Sequence, residues 1–280
     1  YKNIDVIVID HHLSEPNLPK VHSLINPNRY DEKNNYNEMA AVGVTFLFLM
    51  GLRKKIRELN LFPKIKEPNL LSYLDLVALG TVCDVVELIE YNRLFVKKGL
   101  EIIKKRENKN ISKIFDNSQN NSTPTASDLG FIIGPQLNAA SRIDDSSLSA
   151  NFLITNDVNK IESISKKLFL LNEKRKIIED KIYQEALQQA ENQIHSKYIL
   201  VHSQNWHNGI LGIVASKLVN LFYKPVIVLS FTNNIGIGSA RSIKNIDLGK
   251  IVLNAKNERI LISGGGHAMA AGLKINYDKL

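Results

Sequence analysis

The chain has 280 residues and is 44% hydrophobic and 23% charged, which is typical of a globular protein with a sizeable core and, at this length, two domains. No apolar run approaches the roughly 20 residues that cross a bilayer. Because a strand follows directly on residues 1–3, we predict no signal peptide. The single cysteine excludes an internal disulfide and predicts a cytoplasmic location, where thiols stay reduced.

The formal net charge of +8 is concentrated toward the end of the sequence. Residues 195–280 contain ten Lys and Arg against three Asp and Glu, whereas residues 1–194 are close to neutral, with 26 against 25. A basic segment of this kind is typical of a surface that binds a polyanion, and nucleic acid is the first candidate. The alternative is a compositional bias toward lysine, which outnumbers arginine 27 to 9.

The first feature along the chain is a run of four apolar residues, 6–9, which ends at Asp10, His11 and His12. Short apolar runs rich in β-branched residues predict a strand buried on both faces of a parallel sheet. Ligand sites in such sheets form beyond the carboxyl ends of the strands. A carboxylate beside two imidazoles suits a divalent metal, since imidazole ligates and the carboxylate fixes its tautomer. The alternative is that Asp10 caps a turn and the histidines are polar loop residues.

A predicted loop over 14–36 is followed by a predicted helix over 38–59, whose apolar residues recur every three or four positions. A second helix starts after Pro68 and leads into Asp84, a lone acid in an apolar stretch. An ionised carboxylate in such a setting must be paired, hydrogen-bonded or bound to a metal. Asp84 is therefore a second candidate metal ligand, with helix N-capping as the alternative.

After a helix over 91–106 and a polar connection over 108–125, Gly134-Pro135 predicts a break in a small-residue segment. Arg142 follows this break. Beside a metal centre it would suit a phosphate, because the guanidinium donates two hydrogen bonds to adjacent oxygens. The alternatives are an exposed side chain or an ion pair with Asp144 or Asp145.

The second half alternates between helices and strands. An uninterrupted helical period over 157–194 predicts a long helix that bridges two domains. Beyond it we predict an α/β arrangement with strands over 198–201, 225–229, 235–242 and 272–275 and helices over 210–221 and 247–255. Trp206 and His207 are candidates for contact with a base, and burial of Trp206 in the core is an equal alternative.

A glycine triplet, Gly264–Gly266, precedes a run of small, helix-compatible residues. This pattern predicts a helix N-terminus whose backbone N–H groups approach a phosphate, with His267 as a further donor. A tight turn is the alternative. The presence of Ser239 and Arg241 in the same basic region favours phosphate binding.

Six segments, taken together and in order, resemble the DHH phosphoesterase superfamily and, within it, the family of single-strand-specific 5′→3′ DNA exonucleases. They are VIDHH at 8–12, TVCDVVEL at 81–88, GPQLNAASRIDD at 134–145, WHNGILGIVASKL at 206–218, GSARS at 238–242 and GGGHAMAAG at 264–272. The resemblance implies an α/β fold with a cleft between two domains. Its parts are a parallel-sheet DHH domain, truncated at its N-terminus, over 1–156, a connecting long helix over 157–194, and a smaller α/β DHH-associated domain over 195–280.

The resemblance also implies a hydrolase with two divalent cations, Mn²⁺ or Mg²⁺, that degrades single-stranded DNA in repair and recombination. It makes His11 and Asp84 metal ligands. It makes Asp10 the residue that orients His11, places His12 near the metals, and turns Arg142 toward the scissile phosphate. The residues implied to bind the strand or its 5′-phosphate are Ser239, Arg241, Gly265, Gly266 and His267. A helicase and a single-strand-binding protein are the implied partners.

The sequence departs from the family pattern because no D-x-D motif, which should precede the first segment, occurs in the 280 residues. We therefore expect a fragment that supplies about half of the metal ligands, stops before an OB-fold domain, and has weak or absent nuclease activity by itself. Two other functions stay open. One is a DHH phosphodiesterase acting on short oligonucleotides or cyclic dinucleotides, and the other is a non-catalytic remnant that binds nucleic acid.

Overall fold

The computed structural model describes residues 4–14, 16–62, 66–118 and 122–280. The chain divides into two compact units. The first comprises the described residues up to Leu137 together with Phe152–Lys166, and the second comprises Asn138–Asn151 together with Lys167–Leu280. Each unit contains both helices and strands, which confirms the α/β class. The domain limits at 156 and 194 stay predictions, since the two units divide the chain differently.

The first unit is mainly helical and contains one small parallel sheet. Its strands are β1 (Ile7–Ile9) and β2 (Ser23–Ile25). The helical segments that follow are α1 (Ala41–Glu58), a 3₁₀ turn (Leu70–Tyr73), α2 (Leu74–Cys83), α3 (Glu90–Lys104), α4 (Lys109–Asn117), α5 (Ala126–Asp128) and a π-turn (Leu129–Ile133). The next helix, α6 (Gly134–Ile143), begins in this unit and ends in the second. Apolar side chains of α1, the 3₁₀ turn, α2 and α3 form one core with Ile9 and Ile25, so the sheet is anchored from the helical side.

β1 is parallel to its neighbour, as predicted, but the prediction that it is buried on both faces is wrong. Val6 is 45% and Ile7 is 50% exposed, and Ile9 is half-buried. In the described residues β1 pairs only with β2, which lies inside the segment predicted to be a loop. With a single neighbouring strand, one side of β1 stays accessible. The direction of β1 still places Asp10 directly beyond its carboxyl end.

Two helical segments also differ from the prediction. The polar connection over 108–125 contains α4, which begins at an Asn108 side-chain cap and buries Ile111, Ile114 and Phe115. Side-chain capping by Asn is a strong helix start that an Asn-rich composition conceals. Gly134-Pro135 does not end the helix either. Pro135 lies in the first turn of α6, where its missing N–H group is tolerated.

The predicted long helix is confirmed. After α7 (Ser147–Ile154), α8 runs from Val158 to Glu191, a length of 34 residues. Its residues up to Lys166 belong to the first unit and the remainder to the second. No helix in the described part of the chain is both long enough and apolar enough to cross a membrane.

The second unit is built on a five-stranded sheet of strand order β3-β4-β5-β7-β6. β3 and β4 are parallel, and the other neighbours are antiparallel. The strands are β3 (Ile199–Gln204), β4 (Val226–Thr232), β5 (Ile235–Arg241), β6 (Leu261–His267) and β7 (Ala270–Asn276), and the helices are α9 (Leu211–Phe222) and α10 (Leu248–Asn257). α8 and α9 share a buried cluster with β3 and β4 on one face, and α10 lies in the cluster on the other.

Two glutamines, Gln189 in α8 and Gln193 just beyond its end, bond to the outer edge of β3. The Gln193 amide donates to the Leu200 carbonyl at 2.8 Å and accepts from the Leu200 N–H at 2.9 Å. Gln189 makes the same two bonds with His202, at 2.9 and 3.0 Å. Each side-chain amide therefore occupies the position of a peptide group in a neighbouring strand.

The prediction of a helix N-terminus after the glycine triplet is wrong. Gly264–Gly266 lie within β6, and a tight turn after His267 leads to Ala270 at the start of β7. A Cβ at Gly266 would come within 2.8 Å of the Ala271 side chain, so a glycine is required where the two strands of this hairpin meet. The triplet therefore lies in a strand of a hairpin, and the tight turn that was the alternative interpretation follows it instead of containing it.

Candidate functional site

The first group of site residues forms around His11 and Asp84. His11 lies just beyond β1, and Asp84 is the C-cap residue of α2, not an N-cap. The His11 Nε2 and Asp84 Oδ2 atoms are 3.2 Å apart, with the side chains 16% and 38% exposed. The structure therefore brings together two predicted metal ligands that are more than seventy positions apart in the sequence.

Asp10 organises the backbone and one ring of this group. Its Oδ1 atom accepts hydrogen bonds from the N–H groups of His11 and His12, at 2.7 and 3.3 Å, and bonds to His12 Nδ1 at 2.8 Å. Burial alone would raise the pKa of Asp10, but these hydrogen bonds outweigh it and hold the pKa below its ordinary value. The ionised carboxylate thus orients the ring of His12. Its contact to His11 is through the backbone, whereas the resemblance implied that it orients His11.

Two asparagines inside the segment predicted to be a loop hold the two histidines in place. Asn26, which is 6% exposed, donates from Nδ2 to the His12 carbonyl at 2.8 Å. Asn28 donates from Nδ2 to the His11 carbonyl at 2.7 Å. Both follow β2 directly, so the end of the neighbouring strand fixes the loop that carries the histidines. Recognition of β2 in the sequence would have pointed to these asparagines, but the polar composition of the surrounding segment conceals this short strand.

The donor chemistry of this group fits a divalent cation, since imidazole nitrogen and carboxylate oxygen are common ligands of Mn²⁺, and carboxylate oxygen suits Mg²⁺. The number of donors is small. Among the described residues, no set of three or more His, Cys, Asp or Glu side chains is close enough to hold a metal ion together. His11 and Asp84 therefore represent a partial ligand set.

The second group of site residues lies in the second unit, around the N-terminus of α9. Arg142 donates from Nη1 to the Gly209 carbonyl at 2.8 Å. Gly209 lies so close to the Arg142 backbone that an added Cβ would be 3.1 Å from the Arg142 carbonyl carbon. The alternative partners are engaged elsewhere, because Asp144 pairs with Lys167 and Asp145 bonds to Ser147.

Ser239 and Arg241 reach the same helix end from β5. The Arg241 Nη1 group donates to Ser239 Oγ at 3.1 Å and to the Ala240 carbonyl at 2.9 Å. A Cβ at Gly212, in the first turn of α9, would come within 3.0 Å of both Arg241 Nη2 and Ser239 Oγ. The N-cap residue, Ile210, makes no side-chain hydrogen bond to the N–H groups of the first turn. A helix N-terminus flanked by a guanidinium and a hydroxyl is a favourable position for an anion.

The charges around Arg142 are unusually dense. Burial lowers the pKa of Arg142, and the nearby Arg175 and Arg241 lower it further, while Glu179 opposes them. Glu179 is 8% exposed and pairs with Arg175 through Nη1 and with Lys217 Nζ, the latter at 2.6 Å. One buried carboxylate thus faces several cations, and the excess positive charge favours an anionic ligand.

Of the remaining residues predicted to contact nucleic acid, Trp206 is buried, whereas His207 and His267 are exposed. Trp206 is 6% exposed, belongs to the buried cluster under α9, and donates from Nε1 to Glu185 Oε2 at 2.7 Å. Its predicted role in stacking on a base is therefore wrong, and the core alternative is right. His207 is exposed, and its Nδ1 atom accepts from the Gly209 N–H at 3.2 Å. His267 and Arg241 lie opposite Ala270 on either side of β7, in one row of the sheet.

Two stretches of the chain match models of known protein families. The model of the DHH family, N-terminal domain, matches residues 1–81, and the model of the DHHA1 domain matches residues 184–280. The single-stranded-DNA-specific exonuclease RecJ of Haemophilus influenzae is 37% identical over 99% of this chain and 50% of its own length. Over nearly its whole length, the chain is homologous to RecJ.

Solved structures of RecJ from Thermus thermophilus extend this finding. The complex with Mn²⁺ matches 98% of this chain and 39% of its own, with 29% identity and a TM-score of 0.83. The complex with Mg²⁺ matches 98% of this chain and 40% of its own, with 27% identity and a TM-score of 0.78. This RecJ homologue thus spans half the length of the Haemophilus influenzae protein and about two fifths of each of these two Thermus thermophilus chains.

Proposed function

We propose that the chain is part of a metal-dependent exonuclease that hydrolyses phosphodiester bonds of single-stranded DNA from the 5′ end, in DNA repair and recombination. The observation that carries the proposal is the 3.2 Å approach of His11 Nε2 to Asp84 Oδ2 beyond the carboxyl end of β1. The homology to RecJ supports the substrate class. A cytoplasmic location, a helicase and a single-strand-binding protein as partners belong to the same proposal.

In this proposal His11 and Asp84 hold Mn²⁺ or Mg²⁺. When bound, the cations supply Lewis acidity that lowers the pKa of an attacking water and stabilises the attacking and leaving oxygens. Asp10, kept ionised by its hydrogen bonds, holds the His12 imidazole in one orientation beside the phosphate. Asn26 and Asn28 keep the histidine backbone fixed, which reduces the reorganisation needed when substrate binds.

The residues at the α9 N-terminus would bind phosphates. Arg142 and Arg241 supply the guanidinium groups at this position, and Ser239 supplies a hydroxyl donor. Both guanidinium groups are held by carbonyl or hydroxyl oxygens and keep further N–H donors, because each guanidinium carries five. We assign the scissile phosphate to Arg142 and the strand or its 5′-phosphate to Ser239, Arg241 and His267.

Calorimetric titration of the chain with Mn²⁺ tests the metal site. We expect binding that Asp84→Asn and His11→Ala each weaken by about tenfold or more, since each removes a direct ligand. The exposed pair of His22 and Asp5, 3.4 Å apart, offers a matched control. Equal Mn²⁺ affinities for Asp84→Asn and Asp5→Asn would refute the assignment.

Binding of oligonucleotides tests the substrate. We expect 5′-phosphorylated single-stranded DNA to bind with a strong salt dependence and more tightly than its 5′-hydroxyl form, and Arg241→Ala to remove this difference. A phosphodiesterase for short oligonucleotides would instead bind a dinucleotide as tightly as a long strand. A non-catalytic remnant would bind DNA without any tight Mn²⁺ site.

A further inference from the structure

One face of the sheet in the second unit is only half covered. Val201 on β3 and Val228 on β4 are fully buried in the cluster formed with α8 and α9. The same face continues onto β5, β7 and β6, because directly paired residues point to the same side. There the face is accessible: Ile237 is 43% exposed, the residues Ser263, Gly265, His267 and Gly272 are exposed, and the other residues of the face are half-buried. We call this surface the three-strand face.

The register of the strands arranges the three-strand face in rows. The first row is Arg241, Ala270 and His267. The second row is Ser239, Gly272 and Gly265, and the third is Ile237, Lys274 and Ser263. Because alternate residues of a strand share a face, the first and third rows are about 14 Å apart. The phosphate-binding residues proposed above therefore lie at one end of a longer surface.

The second row contains two paired glycines that nothing in the packing requires. A Cβ at Gly265 or Gly272 would have no atom within 4 Å, and neither glycine has a positive φ angle. Gly266 and Gly264 differ, since a Cβ at either would contact neighbouring atoms. Glycine weakens a strand, so an unneeded glycine pair indicates that something approaches the backbone closely.

The third row presents a cation and an apolar side chain, both of which can contact a strand of nucleic acid. Lys274 is half-buried along its length and forms no ion pair within the described residues. Ile237 is an exposed apolar side chain beside it. A cation next to an apolar surface suits a phosphate and an adjoining sugar or base. The net charge of +7 over residues 195–280 is of the sign that this partner requires.

We propose that the three-strand face is a track along which a single strand of nucleic acid leaves the phosphate site, crosses the bare pair Gly265 and Gly272, and meets Lys274 and Ile237 as a second contact point. This proposal rests on the proposed function, because the track begins at Ser239 and Arg241. It predicts that Lys274 does not contribute to the affinity for ligands too short to cross the row that contains Gly265 and Gly272.

Fluorescence anisotropy with the whole chain tests the track, using a 5′-phosphorylated dinucleotide and a 5′-phosphorylated oligonucleotide of about twelve nucleotides. We expect Lys274→Gln to weaken only the longer ligand, and to reduce the magnitude of its log-affinity against log-salt slope by about 0.7, as for one lost phosphate contact on a single strand. The control is Lys256→Gln, in the last turn of α10, which lies on the other face. Lys256→Gln should leave the affinity for both ligands unchanged.

Gly272→Val provides the steric test. The valine side chain begins in open space and favours a strand, so the free energy of unfolding should not fall. Affinity for the longer ligand should drop several-fold, while the dinucleotide is unaffected. Should this variant unfold, the Lys274→Gln comparison still decides the question.

The proposal is overturned if Lys274→Gln and Lys256→Gln behave alike, or if Lys274→Gln weakens both ligands equally, which would make Lys274 part of the phosphate site. Failure of the unmodified chain to bind either ligand would instead refute the proposed function, and the track with it. The two failures are therefore distinguishable.

Discussion

Removal of the indole of Trp206 tests whether this residue belongs to the core or to a nucleic-acid surface. The side chain is 6% exposed and donates to Glu185 at 2.7 Å. Truncation of a buried tryptophan to alanine destabilises a protein by about 3–5 kcal/mol. Trp206→Phe keeps most of the apolar contact and loses a hydrogen bond to a charged acceptor, which contributes about 1.5–3 kcal/mol. Glu185 is only half-buried and can be rehydrated, so we expect about 2 kcal/mol for Trp206→Phe and about 4 kcal/mol for Trp206→Ala.

Urea unfolding followed by far-UV circular dichroism measures both values, with Glu185→Gln as the matched variant. The glutamine amide oxygen still accepts from the indole, so this change should cost less than about 1 kcal/mol. Trp206 is the only tryptophan in the chain, so intrinsic fluorescence reports on this position alone. We expect blue-shifted emission that oligonucleotides do not quench. Strong quenching by DNA, with unchanged stability of Trp206→Phe, would refute a core position.

Three further predictions concern stability. Glu179→Gln should lower the free energy of unfolding by about 3 kcal/mol or more, because the nearly buried Arg175 loses its carboxylate. Gly99→Ala should lower it by about 1–3 kcal/mol, since the new Cβ would overlap the backbone of α2. Asp75 is 2% exposed, and desolvation raises its pKa above the ordinary 3.8 despite a hydrogen bond from Asn108. The folded state then binds the proton more tightly, so stability relative to Asp75→Asn should be highest at low pH and fall as pH rises through the raised pKa.

Urea titrations check all three, each with its own control. Glu173→Gln breaks an exposed pair and should cost less than about 1 kcal/mol, so an equal loss for Glu173→Gln and Glu179→Gln would contradict the first. Gly51→Ala places its Cβ in open space on α1 and should stabilise by up to about 1 kcal/mol; a similar gain for Gly99→Ala would contradict the second. For Asp75, the contradicting result is a stability difference that stays constant between about pH 3.5 and pH 7.

Periodicity and motif order were sufficient for much of the molecule. The long period without Gly or Pro predicted α8, and alternating apolar runs predicted most of the second unit. His11 and Asp84 could each be proposed as a metal ligand, because His11 lies beyond a predicted strand and Asp84 is a lone acid in an apolar stretch, and the structure brings the two together. These features depend on local pattern, which the sequence carries directly.

Features that depend on tertiary pairing were not accessible in this way. A three-residue strand such as β2 is too short for a periodic signal, so Asn26 and Asn28 could not be connected with the histidines. The glycine triplet permits a strand or a helix start equally, and only pairing with β7 decides between them. Trp206 combines an apolar ring with one polar N–H group, and only the packing of α8 decides that this group meets the half-buried Glu185 instead of a ligand.

Gln189 and Gln193, at and just beyond the end of α8, have a consequence for solubility. An outer strand with free peptide groups is a template for pairing with another molecule, and natural sheets suppress this hazard in various ways. Gln189 and Gln193 satisfy the N–H and carbonyl groups of His202 and Leu200, so β3 presents no such template at these two residues. At the opposite border, a register shift between Leu261 and Ser263 disturbs β6. Side-chain amides thus protect the β3 border of the sheet from edge-to-edge association at these two residues, whereas β6 is regular from Ser263 to His267.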